Sequence, residues 1–439
     1  MNRIHFLRAC WSDIILVESH GLFGLMDTGY DRDAERIAAY LDSLGVRKLE
    51  WILITHFHRD HYGSLPALLG RYPVGRVYMK PFSALNIADS SGRDAGDAYN
   101  EAEKAKYEAM CDLAQSVSAF TAIREGVDRL RLGDFDFRIF GTEDAIRKMY
   151  ENPSSPCFHR IRFGENTNST AFYACLEGTG IYLGGDAENG MLEDPEFDRR
   201  NAQYARAVGN HVDLYKVPHH GCGNIFDDEV LSILRPRFSI VTNWGPTLKR
   251  RFTANLDRLL AARPDARVLC TDRCGYVFTL LGQGQMTMEE IDRVPEVIPE
   301  DAAGDETDAF LEARRRHLQE DGIPEEPQDM EGPPVSLLKL AEKEGDCPVW
   351  FVREGKRIGA ALLRIQGRAE KRCRILDFWI FAPYRGWGAG HYCFETLEAK
   401  LREAGIHSFQ VRCRDSAVIR FWKAFGFEEG TEPFLLTLT

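Results

Sequence analysis

The sequence predicts an α/β protein of two domains, and three observations predict it. Short apolar runs of strand character alternate with amphipathic helical stretches along its 439 residues. One stretch, residues 289–335, holds 16 acidic against 4 basic side chains, a net of -12 that equals the net charge of the whole chain. On either side of it, chemistry-bearing residues cluster where a strand ends. The length suits two domains.

The first domain is expected over residues 1–288. Met1 to Phe6 runs straight into strand character, so no signal peptide is expected. Residues 8–29 read as strand, turn and strand. Residues 31–45 read as an amphipathic helix stopping at Gly45. Trp51-Ile52-Leu53-Ile54 is a short buried strand. A polar helix is expected over 97–120 and strand character over 127–140. Ser169 to Leu183 reads as two strands around Gly178-Thr179-Gly180. Asp213 to Val217, Phe238 to Thr242, Arg267 to Cys270 and 275–281 are further strands, with a helix over 253–262.

Residues 289–334 contain Pro295, Pro299, Pro324, Pro327, Pro333 and Pro334 and read as a solvated, partly mobile junction that can also supply the start of the second domain. The second domain, 335–439, begins with a hairpin over Val349 to Gln366 turning at Glu354-Gly355-Lys356. An apolar strand follows over Arg374 to Phe381, then helices over 391–404 and Ser416 to Phe425, with strands at His407 to Cys413 and Pro433 to Thr439. A helix over 307–321 precedes them.

Composition narrows the class. Hydrophobic residues make up 44% and charged residues 28%, an ordinary globular balance. No apolar run reaches the roughly 20 residues a membrane crossing needs. The 11 Cys are odd in number and scattered, which suits a reducing cytoplasm better than a disulfide framework. Cys270 and Cys274 lack a second pair at zinc-finger spacing. The charge does not suit a tight nucleic-acid binder, although a metal site would supply its own positive charge.

The strongest signal is Thr55-His56-Phe57-His58-Arg59-Asp60-His61. Three His and one Asp leave the end of a buried strand. His56 and His58 face the same way on an extended loop, while Asp60 and His61 face a neighbouring site. Imidazole and carboxylate are the ligands that zinc, and after it manganese, prefers. Gly185-Asp186 follows the strand Ile181-Tyr182-Leu183, and a carboxylate there can bridge two metals. His219-His220-Gly221 follows the strand ending at Val217.

Together these residues resemble the metallo-β-lactamase fold superfamily, which implies a four-layer αβ/βα sandwich. The order Ser12-Asp13-Ile14-Ile15-Leu16, Leu25 to Gly29, Thr55 to His61, Asn168-Ser169, Gly185-Asp186 and Lys216 to Gly221 resembles the metallo-hydrolase domain of the competence protein ComEC, without its membrane channel. Cys222 stands where that family usually has Ser. The resemblance implies His56 and His58 on a first divalent metal, Asp60, His61 and His219 on a second, and Asp186 between them. His219 is preferred to His220 as nearer the strand end. His159 and Asn168 are the candidates to complete the first site, and Asp27 is expected to hold a ligand His. Two such metals activate a water for attack, which Asp60 would orient. The resemblance favours a phosphodiester, in a small molecule or a nucleic acid, with thioesters and lactones as alternatives.

The second cluster is Pro383-Tyr384-Arg385-Gly386-Trp387-Gly388-Ala389-Gly390, between a strand and a helix. Its glycines let backbone N–H groups approach an anion. With Phe421-Trp422 and Phe425-Gly426-Phe427 it resembles the GNAT-type N-acetyltransferases, a further α/β fold. That implies acetyl-CoA held by Phe381, Arg385, Gly386, Gly388, Ala389 and Gly390, and an acyl-acceptor amine of unspecified kind. Asp377 is the candidate general base. Trp422 stands where many members carry a Tyr that protonates the leaving thiolate, and Trp cannot do that. A hydrolase regulated by an inactive acyl-CoA-binding module is the alternative.

Overall fold

The computed structural model describes residues 1–83, 96–142, 151–154, 165–189, 200–210, 212–223, 225, 228–321, 330, 334–339, 344–367, 372–385, 388–413, 415–430 and 434–438. The chain divides into two compact units, Met1–Arg293 and Val294–Thr439.

The first unit contains strands β1 (Asn2–Phe6), β2 (Ile15–Ser19), β3 (Leu22–Met26), β4 (Leu49–Ile54), β5 (Val74–Met79), β6 (Ala119–Ala122), β7 (Arg129–Leu132), β8 (Phe135–Phe140), β9 (Ala171–Leu176), β10 (Thr179–Leu183), β11 (Leu214–Lys216), β12 (Phe238–Val241), β13 (Arg267–Cys270), β14 (Gly275–Gly282) and β15 (Gln285–Ile291). They form an eight-stranded sheet, β15-β14-β1-β2-β3-β4-β5-β6, and a seven-stranded sheet, β13-β12-β11-β10-β9-β8-β7. The pairs β3–β4 and β4–β5 are parallel, as are β10–β11, β11–β12 and β12–β13.

Side-chain alternation explains the layering. On β4, Trp51 and Leu53 join a core shared with Phe135, Phe137, Phe172, Ile181 and Ile240 of the other sheet. Ile52 and Ile54 point the opposite way, onto Ile37, Ala38 and Leu41 of helix α1 (Ala34–Ser43). In the second sheet, Tyr182, Tyr215 and Val241 pack on Ala202, Ala205 and Leu231 of the helices Arg200–Val208 and Asp228–Leu234. The result is helix, sheet, sheet and helix in four layers. Each fully buried Leu, Ile or Phe contributes about 1.5–3 kcal/mol.

The second unit contains β16 (Ile298–Asp301), helix α2 (Thr307–Glu320), β17 (Gly345–Arg353), β18 (Lys356–Gln366), β19 (Arg372–Ile380), helix α3 (Ala389–Glu403), β20 (Ser408–Arg412), helix α4 (Ser416–Ala424), β21 (Glu428–Glu429) and β22 (Leu435–Leu438). One sheet runs β16-β17-β18-β19-β20-β22-β21, with only β19–β20 parallel among its described pairs. Trp379 faces Phe310 of α2, whereas its neighbour Phe378 faces Phe394, Phe421 and Trp422 of α3 and α4. The register of β18 on β19 slips between Leu362 and Leu363, leaving Leu376 as an unpaired bulge.

The acidic stretch is not simply a mobile junction. Residues 289–291 finish β15, and β16 and α2 build into the second unit. Local ion pairs help to tolerate its charge, such as Arg357 with Glu306 and Arg385 with Asp321. Among the described residues, no helix is long and apolar enough to cross a membrane.

Candidate functional sites

The first site gathers residues that follow the carboxyl ends of β4, β10, β11 and β12, where ligands bind in open α/β sheets. Past β4, the Thr55 N–H donates to Asp27 Oδ1 at 2.8 Å, and its hydroxyl donates to Asp27 Oδ2 at 2.9 Å. The chain then passes His56 and His58 and enters the short helix Arg59–Tyr62, which carries Asp60 and His61. Past β10, Gly185 takes φ of +51°, and a Cβ there would stand 2.5 Å from Thr170 O. This turn projects Asp186 into the site.

The atoms converge on one carboxylate oxygen. Asp186 Oδ2 lies 3.2 Å from His61 Nε2, 3.4 Å from His220 Nε2 and 3.9 Å from His56 Nε2. Asp60 Oδ2 lies 3.3 Å from His220 Nε2 and 3.9 Å from His61 Nε2. His56 Nε2 and His58 Nδ1 are 3.0 Å apart. Asp60, His61, Asp186 and His220 each offer a ligand atom within 4.8 Å of the others. His61 Nε2 is buried without a hydrogen-bond partner, although Asp186 Oδ2 is close by. An orphaned buried nitrogen within such a donor set fits a divalent cation.

The surrounding shell fixes these side chains. His61 Nδ1 meets Asp27 Oδ2 at 2.8 Å. His220 Nδ1 meets Thr242 Oγ1 at 2.9 Å, and Thr242 donates to Asp13 Oδ1. Lys216, fully buried, pairs with Asp13 and donates to Gly185 O at 2.7 Å. It also reaches Asp186 Oδ1 at 3.5 Å, the oxygen turned away from the histidines. Burial pushes His56 and His58 down toward the neutral form a metal requires. Burial likewise opposes charge on His61 and His220, but Asp186 and its neighbouring carboxylates outweigh it. They hold His61 well above the usual range and His220 up to about 9.

The structure brings His220, rather than the expected His219, to the cluster. His219 and His220 have φ of +45° and +52°, so the chain makes a left-handed turn past β11 instead of continuing extended. The turn sends His220 into the cluster and His219 aside, where its Nδ1 meets Glu188 at 2.6 Å and its Nε2 meets Asn166 at 3.0 Å. His219 remains on the His56 and His58 flank, close enough to influence both rings. Asn168 does not face the metal cluster. Its amide donates to Pro81 O at 2.8 Å and to Glu165 Oε1 at 3.0 Å. Glu165 is buried, which pushes its carboxyl up to about 8, and it receives the backbone N–H groups of Phe57 and Ser83. His159 lies outside the described residues. Sequence reasoning missed the roles of Asp13, Thr242, Asn166 and Glu188. A lysine between buried Tyr215 and Val217 was a legible signal for Lys216.

In the second unit, Gly388 caps α3 with φ of +74°, Ala389 begins that helix, and Gly390 packs against Phe421. Backbone N–H groups at the start of a helix are a general setting for anions. Gly386 lies outside the described residues. Arg385 is engaged locally, with two bonds to Asp321 at 3.0 and 2.8 Å and one to Ile380 O at 2.8 Å. Phe381 lines a cavity beside α2. Asp377, the candidate base, is ion-paired with Arg314. Trp422 is buried among Phe378, Phe394 and Phe427 as a core residue.

Comparison with known proteins agrees with this architecture. Residues 9–142 match the family described as the Metallo-beta-lactamase superfamily, and residues 310–427 match the Acetyltransferase (GNAT) family. A curated relative, the hydroxyacylglutathione hydrolase of Aeromonas hydrophila, is 36% identical over 87 residues, 20% of this chain and 32% of that protein. The chain thus spans about a third of that relative's length. The metallo-beta-lactamase fold protein YhfI of Bacillus subtilis aligns over 66% of this chain and all of its own, at 10% identity and a TM-score of 0.37. Naa50 of Arabidopsis thaliana, solved with a bisubstrate analogue, aligns over 33% of this chain and 99% of its own, at 17% identity and a TM-score of 0.24. The chain therefore carries a metallo-beta-lactamase fold unit followed by a GNAT-like unit, with segments that match two enzyme families in that order.

Proposed function

We propose that the first unit is a dinuclear metal-dependent hydrolase acting on a phosphodiester. The observation that carries the dinuclear reading is the position of Asp186 Oδ2, which faces His56 on one flank and His61 and His220 on the other. His56 and His58 would hold the first ion, with His219 beside them. Asp60, His61 and His220 would hold the second, and Asp186 both. Bound there, divalent metals polarise the scissile group and make water nucleophilic near neutral pH. Asp27 keeps the His61 ring oriented, and Asp13 with Thr242 does the same for His220. Asp60, the most open of these carboxylates, is placed to accept a proton from the attacking water. The order of motifs along the chain supports the phosphodiester.

A second substrate class, a thioester, is favoured by the partial likeness to hydroxyacylglutathione hydrolase. A panel decides between them: a nitrophenyl phosphodiester, cyclic nucleotides and nucleic acids against glutathione and acyl-CoA thioesters, using zinc- and manganese-loaded full chain. Metal-dependent phosphodiester cleavage that Asp186→Ala abolishes is the expected result. Thioester cleavage alone would overturn the phosphodiester.

The second unit is read as an N-acetyltransferase that takes acetyl-CoA at the turn before α3, with Phe381, Arg385, Gly388, Ala389 and Gly390 around it. Saturable acetyl-CoA binding in a calorimetric titration is the check, and absence of binding would remove this reading.

A further inference from the structure

A cavity of 320 Å³ opens between the last turns of α2 and the end of β19. Ala313, Arg316, His317 and Glu320 line it from the helix, and Trp379 and Phe381 from the strand side. It extends to Arg385, at the start of the turn assigned to acetyl-CoA. His317 is the one imidazole in this lining. Its ring lies flat against Trp379, with centroids 5.1 Å apart and planes 5° from parallel. Its side chain is only 11% exposed, and Nδ1 stands 3.1 Å from Asp321 Oδ2, one helical turn further on. Asp321 is itself held by both terminal nitrogens of Arg385. Arg385 thus holds the Asp321 carboxylate beside one edge of the imidazole, close to the turn at α3. The sequence's candidate base is differently placed: Asp377 is occupied by Arg314.

We propose that this cavity receives the acceptor amine of the second unit and that His317, rather than Asp377, is its proton acceptor. The inference rests on the acetyltransferase reading above. Asp321 Oδ2 stands beside Nδ1 without a hydrogen bond to it, and Nε2, the ring's other nitrogen, is the one assigned as the acceptor. Burial pushes His317 below its usual range, opposed by Asp321, Asp377 and Glu320 and assisted by Arg385, so the ring is neutral and able to accept at pH 7. A base of this kind suits an ammonium-bearing acceptor with an apolar or aromatic body, which Trp379 and Phe381 would cover. His317 Nε2 takes one proton from the acceptor ammonium. The freed nitrogen lone pair then forms the C–N bond to the acyl carbonyl, the C–S bond breaks, and CoA leaves as thiolate. The second proton lost by the nitrogen ends on that thiolate, and the proton on His317 passes to solvent. Trp422 has no acidic proton to contribute, so the thiolate takes that second proton from the product nitrogen directly or through water.

The test uses the full chain and acetyl-CoA. Diethylpyrocarbonate modification is mapped by mass spectrometry, with His20 and His407, both exposed, as internal references. Saturating acetyl-CoA is expected to slow modification of His317 about fivefold or more and to leave both references unchanged. His317→Gln is expected to bind acetyl-CoA within about twofold of the unmodified chain. Against a panel of primary amines it should lose about 10²–10⁴ in acyl transfer, together with the rise in rate through the histidine range. Saturable acetyl-CoA binding that leaves His317 modification unchanged would overturn the proposal, as would equal turnover by His317→Gln. Failure of the unmodified chain to bind acetyl-CoA is the separate outcome that removes the acetyltransferase reading itself.

Discussion

The two sites solve opposite problems. The candidate metal site is assembled from residues as far apart as Asp13 and Thr242 and is almost wholly buried. It concentrates Asp13, Asp27, Asp60 and Asp186, with the buried ammonium of Lys216 against Asp13 and Asp186, so its chemistry depends on carboxylates that burial alone would penalise. The site in the second unit is local. His317 and Asp321 lie four residues apart on one helix, and the turn into α3 offers backbone groups. A buried polyanionic cluster needs many elements to hold it, whereas a backbone-built anion site needs one strand, one turn and one helix.

Four experiments would break or sharpen this contrast. The largest effect is expected for Asp186→Ala. It removes the oxygen shared by both flanks, so hydrolysis should fall by about 10³-fold or more and bound metal per chain should drop, read by kinetics and elemental analysis. A variant that keeps two metals and its activity would defeat the bridging role. Next, Trp422→Ala should cost the second unit about 3 kcal/mol through the cavity left among Phe378, Phe394 and Phe427. Denaturant melting should show this while metal content of the first unit stays constant.

His220→Ala should lower hydrolysis by about 10²-fold, and His219→Ala by about tenfold, the scale of an outer ligand partner. Equal losses would return His219 to the cluster on the same terms as His220. A further effect is a pH dependence at Glu165. Its carboxyl is raised from 4.5 to about 8 in the folded chain. The protonated form is therefore the stable buried form, and the stabilisation present below pH 4.5 is lost as pH rises through about 8. Between pH 5 and 7 the unmodified chain should lose about 2 kcal/mol relative to Glu165→Gln, measured by denaturant melts at each pH. A parallel pair of pH curves would show that Glu165 is ionised throughout.

Much of the fold was legible because periodicity is a local property. The alternation Trp51-Ile52-Leu53-Ile54 already separates two faces, and the structure sends them to two different cores. The stretch 289–334 was only partly legible: the helix over 307–321 shows in the sequence, whereas the short strand Ile298–Asp301 does not stand out from its acidic, Pro-containing surroundings. Site residues divide in the same way. The motif His56 to His61 marks itself by density, whereas Asp13 and Thr242 are isolated polar residues whose meaning appears only when their strands align.

The sequence by itself determined the two-unit organisation, the α/β character of each unit, the run of metal-binding residue types after β4 and the glycine-rich turn before α3. These follow from composition, from the two side-chain periods and from residue chemistry at short spacing. Only the tertiary structure decided which of two adjacent histidines enters the cluster, because a left-handed turn at His219 and His220 reverses the alternation an extended strand would impose. It also decided that Asp377 is occupied by Arg314 and that His317 faces a cavity. Those outcomes depend on which side chains meet across elements, and sequence spacing contains no term for that.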